Sequence, residues 1–111
     1  MRMNDYQGNA MDSAIYPCSH KGKSKGIEYA TMGLCGEAGE VAEKVKKHMR
    51  GDCSLHHLKS NLVLELGDVL WYVANLAFEC GYTLEQVAEM NNTKLQLRRK
   101  NNTIQGNGDD R

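Results

Sequence analysis

The chain lacks most of the features that assign a sequence to a class at first sight. It has no long apolar run. The longest, residues 69–74, spans six positions, against roughly 20 for a bilayer-crossing helix. No charged-then-apolar leader opens it, so no signal peptide is expected, and a cytoplasmic location is the default. It has no charge excess: 14 Lys and Arg face 14 Asp and Glu, which gives no global attraction to nucleic acid or a membrane surface. The four cysteines (Cys18, Cys35, Cys53, Cys80) form no CxxC pair, which argues against a disulfide scaffold. The loose group His48, Cys53, His56 and His57 has no zinc spacing and reads as a polar turn. No GxxxxGK[ST] loop is present, excluding a P-loop NTPase. No histidine stands three residues after a glutamate, so a di-iron carboxylate bundle is disfavoured. No Ser/His/Asp or Cys/His grouping follows from spacing.

Two acidic motifs are present, Glu37-Ala-Gly-Glu40 and Glu65-Leu-Gly-Asp68. Each places two carboxylates three positions apart, neighbours on one helical face. The motifs are equidistant from a point between Asp52 and Cys53, inside the turn-like stretch of residues 50–54. In an antiparallel helical hairpin Glu40 lies level with Glu65, and Glu37 with Asp68. Four converging carboxylates repel one another unless a cation sits among them.

In chain order, with 111 residues, one all-α domain is expected over 1–100, with a polar, glycine-rich tail over 101–111. A first helix over 4–16 is capped by Asn4 or Asp5 and ended by Pro17. Residues 19–26 read as a solvated basic linker. Helix two is expected from Ile27 to Met49, with apolar positions at helical spacing. Gly33, Gly36 and Gly39 inside it each cost about 1 kcal/mol against alanine, so a close neighbour should compensate. Lys44, Lys46 and Lys47 suit its C-terminus. Helix three, capped by Ser54 and ending near Cys80, is apolar almost all round, so it should be buried on all sides. Three other helices cannot cover it, and a four-helix antiparallel bundle-type protomer that oligomerises through helix three is expected. Asn61, Glu65, Asp68, Tyr72 and Asn75 form a narrow polar stripe on that helix. Thr83 to Gln86 is a capping box for helix four, where Asn91, Lys94 and Arg98 share a face.

Either acidic pair alone would be ordinary solvation. Set against apolar residues, unpaired carboxylates are costly and need protons, cations or a metal. All-carboxylate ligation suits hard cations, Mg²⁺ first and Mn²⁺ second. Mg²⁺ is commonly shared with substrate phosphates, so a phosphate ester or anhydride is the natural substrate. Lys94 and Arg98 then become candidates to neutralise its remaining oxygens, with water attacking phosphorus in line. The residues alone thus favour an oligomeric all-α Mg²⁺-dependent phosphohydrolase of unspecified substrate.

At these motifs the chain resembles the MazG-like nucleotide pyrophosphohydrolases of the all-α NTP pyrophosphatase superfamily. Their hallmark is ExxE, a spacer, then ExxD. Here Glu37-Ala-Gly-Glu40 and Glu65-Leu-Gly-Asp68 are separated by 24 residues. The likeness extends to Tyr6-Gln7, to residues 82–91, to Lys94 and Arg98, and to the tail. It implies hydrolysis of a nucleoside triphosphate, deoxy forms included, between the α and β phosphates to give a monophosphate and pyrophosphate. It also implies Mg²⁺ on Glu37, Glu40, Glu65 and Asp68, and catalytic work by Glu37 or Glu40 in orienting water. Lys94 and Arg98 are implied to touch phosphate, and Asn91, Tyr72, Asn75 and Lys47 are further substrate contacts to consider. A homodimer or homotetramer is implied. Residues 18–25 are more basic and glycine-rich than the family leads one to expect. Related folds act on dUTP, dCTP or phosphoribosyl-ATP, and a non-catalytic nucleotide-binding helical oligomer is the competing reading.

Overall fold

A computed structural model describes residues 1–111: α1 Met3–Asp12, α2 Ser24–Met49, α3 Leu55–Glu79 and α4 Leu84–Lys100. The all-helical expectation holds. Local chemistry explains the ends. Gly51 takes φ +89° after α2, a left-handed conformation that costs glycine little. The Ser54 hydroxyl accepts from the His57 amide at 3.2 Å to start α3. Gly81, at φ +83°, ends α3. Thr83 and Gln86 form the reciprocal capping box of α4. His48 Nδ1 is bonded to the Cys53 carbonyl at 2.8 Å, which ties His48 and Cys53 into that turn, while His56 and His57 belong to α3.

Two boundaries differ from the sequence expectation. α1 stops at Asp12, not residue 16, because the Ser13 amide and hydroxyl both turn back to the Ala10 carbonyl. Its cap is Arg2, whose amide donates to Asp5 at 3.0 Å. Asn4 instead reaches across the fold, accepting from the Glu85 amide at 3.1 Å in the first turn of α4. α2 starts at Ser24, taking three residues from the expected linker. The Glu79 carboxylate lies against buried Gly26, where a Cβ would come within 2.6 Å of Oε2. A carboxylate beside the first turn of a helix complements the helix dipole.

α2 and α3 form an antiparallel hairpin, and α2 packs on no other helix. Gly26 faces Glu79 and Gly33 faces Tyr72, and both pairs are centred on the same point between Asp52 and Cys53. At Gly33 a Cβ would lie within 2.6 Å of Tyr72 Cδ1 and closer still to Cε1 and Cζ. This close approach accounts for one costly mid-helix glycine. Gly36 and Gly39 have no such neighbour.

The other end of α3 carries α1 and α4. Gln7, 4% exposed, joins all three elements. Its amide donates to the Ala74 and Tyr82 carbonyls at 3.0 and 3.2 Å and accepts from the Leu84 amide at 3.0 Å. Ala10, Ala74 and Leu84 form a small core, with Tyr6, Trp71 and Val73 against it. Because α2 and α4 do not touch, the protomer is open rather than a closed bundle. Its radius of gyration is 16.6 Å, against about 13 Å for a compact domain of this length. Along α3, Val63, Leu64, Leu66 and Leu70 are exposed. The tail is not helical, yet it folds back. The Arg111 guanidinium donates to the Thr103, Ile104 and Gly108 carbonyls, and Thr103 N donates to the Arg98 carbonyl at 2.8 Å.

Candidate active site

The hairpin brings Glu37, Glu65 and Asp68 together, one carboxylate oxygen from each lying within 4.8 Å of the other two. The register puts Glu37 opposite Asp68, and helical spacing adds Glu65 one turn earlier on α3. Partial burial, then the charges of Asp68, Glu65 and Glu40, raise the Glu37 pKa from its ordinary value. Lys44 Nζ lies 3.6 Å from Glu65, so one ammonium offsets part of three negative charges. Glu40 is exposed and stands outside the converging trio. Convergence is therefore threefold, and the fourth carboxylate stands one turn farther along α2.

The donor set fits a hard divalent cation: carboxylate oxygens only, close enough to share one ion, with too little positive charge nearby to neutralise them. A small cavity of about 280 Å³ adjoins it, lined by Glu37, Asp68, Trp71 and Tyr72. Trp71 and Tyr72 meet edge to face at 4.8 Å. Burial, then nearby Tyr29, Glu37 and Asp68, raise the Tyr72 pKa. Burial and Asp68 do the same for Tyr6.

Lys94 and Arg98 lie elsewhere. Lys94 Nζ and Arg98 Nη2 each sit 3.1 Å from the same oxygen, Asp109 Oδ1. Asn91 and Lys94 line a more apolar cleft of about 810 Å³ with Leu70, Val73, Val87 and Asp109. Leu70 and Val73 of α3 face this cleft, whereas Asp68, Trp71 and Tyr72 face the acidic cavity. The two sites thus occupy different sides of α3. Lys47 pairs with Glu43 of its own helix at 3.9 Å and takes no part in either. Asn75, expected to face substrate, is completely buried. Its Oδ1 meets His20 Nε2 at 2.8 Å and its amide donates to the Trp71 and Ala10 carbonyls. The polar stripe of α3 therefore divides: Glu65, Asp68 and Tyr72 turn to α2, while Asn75 ties down the chain after α1.

Sequence reasoning missed Trp71 in the acidic cavity, although the aromatic pair one helical turn after the second motif marks it. It also missed a polar knot between the segment after α1 and the end of α3. The Tyr16 hydroxyl donates to Glu79 Oε1 at 2.6 Å, and the His20 amide donates to the same oxygen at 2.8 Å. Tyr16 stacks on Tyr29 with ring centres 5.2 Å apart. Cys18 and His20 take positive φ, conformations that no glycine signals there.

Among known families, the MazG nucleotide pyrophosphohydrolase domain matches residues 26–103. Along its whole length the chain is 46% identical, over 114 aligned residues, to the complete "Gene 37 protein" of Mycobacterium phage L5. No solved structure matches significantly.

Proposed function

The chain belongs to the MazG nucleotide pyrophosphohydrolase domain family, and from that premise we propose that it hydrolyses a nucleoside triphosphate between the α and β phosphates in a Mg²⁺-dependent reaction. The observation that carries the reading is the mutual approach of Glu37, Glu65 and Asp68 within 4.8 Å, three acidic oxygen donors placed to share one cation. These three residues would hold the ion, with Mn²⁺ as a substitute, and Glu40 would join them. When bound, the ion supplies charge neutralisation at the phosphate oxygens.

Glu37 orients the attacking water and accepts its proton as a carboxylate base. The water oxygen bonds to Pα as the bond from Pα to the bridging oxygen breaks. Pyrophosphate leaves with that oxygen, and the monophosphate remains. Trp71 and Tyr72 wall the cavity.

Lys94 and Arg98 bind phosphate oxygens, and their place on the far side of α3 gives oligomerisation a part in the reaction. We place one protomer's α4 against another's α2–α3 hairpin in a homodimer or homotetramer, so that one nucleotide meets both sets. The open protomer and the exposed Val63, Leu64, Leu66 and Leu70 support this. No helix is long and apolar enough to cross a membrane.

The test is Mg²⁺-dependent pyrophosphate release from a panel of canonical, deoxy and modified triphosphates. Asp68→Asn should lose about 100-fold or more in rate, the scale of removing one charge-stabilising group, while circular dichroism stays helical. Orthophosphate as first product, or full activity in Asp68→Asn, contradicts the proposal.

A further inference from the structure

Asp109 holds the two cations that the reading above gives to phosphate, and resting on that reading we propose that the C-terminal tail is an internal latch whose carboxylate stands in for a substrate phosphate. Its Oδ1 takes both Lys94 Nζ and Arg98 Nη2 at 3.1 Å. Two converging donors on one anionic oxygen are what a phosphate oxygen would receive. Arg98 Nη2 also donates to the Gly108 and Asp109 carbonyls at 3.2 and 3.4 Å. The tail covers Arg98, only 6% exposed, and leaves its Nε buried without a partner. A donor held ready and unsatisfied is suited to an incoming anion with more oxygens than a carboxylate offers.

The latch is built to release. The Asp109 side chain is 82% exposed, so water replaces its contacts readily. Arg111 holds the tail backbone through the Thr103, Ile104 and Gly108 carbonyls, so the Asp109 side chain can turn away without the tail unravelling. A phosphate chain must displace this carboxylate to reach Lys94 and Arg98, and the tail therefore sets an affinity threshold for substrate.

The test uses full-length protein and inorganic tripolyphosphate as probe, titrated calorimetrically without turnover, so it stands whether or not the protein hydrolyses nucleotides. Asp109→Asn should bind the probe about three- to tenfold more tightly, the range for losing one or two partly exposed competing ion pairs. Asp110→Asn, which removes the same charge one residue on, should change affinity less than twofold, and Lys94→Ala should erase most of the gain from Asp109→Asn. Where turnover is measurable, Asp109→Asn should lower KM and leave kcat unchanged. Unchanged or weaker binding in Asp109→Asn overturns the latch, as does an equal gain in Asp110→Asn, which would assign the effect to overall charge.

Discussion

Replacing Gly33 by alanine puts the hairpin to a quantitative test. In an exposed helix the change gains about 1 kcal/mol in helix propensity. Here the new methyl overlaps the Tyr72 ring, coming within 2.6 Å of Cδ1 and closer to Cε1 and Cζ. The ring cannot swing aside freely, because Trp71 holds it edge to face at 4.8 Å. α2 must therefore move away from α3, at the usual overpacking cost of about 1–3 kcal/mol. The net expectation is a loss of up to about 2 kcal/mol, or a melting temperature lower by up to about 10 °C for a domain of this size. The same displacement pulls Glu37, one turn on, away from Glu65 and Asp68, so Mg²⁺ should raise the melting temperature less in Gly33→Ala than in wild type. Gly36→Ala is the internal control, since a methyl there meets nothing within 4 Å in the protomer. Thermal melts of the three proteins with and without Mg²⁺ decide the matter. If Gly33→Ala is stabilised as much as Gly36→Ala, α2 and α3 do not approach as described and the reasoning fails.

Two other consequences are open to measurement. Burial first, then the hydrogen bond to Glu79, raise the Tyr16 pKa well above the ordinary phenol value. The protonated phenol is the stabilised form, so its contribution is complete below about pH 10 and is lost as pH rises further. Wild-type melting temperature should therefore fall more steeply above pH 10 than that of Tyr16→Phe, which should already be destabilised by about 1–3 kcal/mol at pH 7 through the lost bond to Glu79; parallel curves would contradict this. Subunit sharing predicts that inactive Asp68→Asn and inactive Lys94→Ala, mixed and allowed to exchange, recover measurable activity, since some sites then combine two intact halves. A mixture as inactive as its components would confine the site to one protomer.

The hairpin was legible in the sequence because two simple constraints define it: a helical period on each side and one short turn between them. Gly26 with Glu79 and Gly33 with Tyr72 obey the same spacing as Glu37 with Asp68. Spacing places backbones level but does not aim side chains, which is why Glu40 could not be separated from the trio. It also could not place α4: nothing in the pattern of Asn91, Lys94 and Arg98 says which side of α3 they occupy. Least legible was the irregular chain. The bonds of Asp109 and Arg111, and the Tyr16–His20–Glu79 knot, come from turns with no period to read.

The most direct test of the central claim is to follow a hydrolysed triphosphate by ³¹P NMR in ¹⁸O-labelled water with Mg²⁺ present. Cleavage at Pα predicts monophosphate and pyrophosphate as the first products, with the label in the monophosphate. Label in pyrophosphate, or orthophosphate appearing before pyrophosphate, would show attack at a different phosphorus and contradict the account.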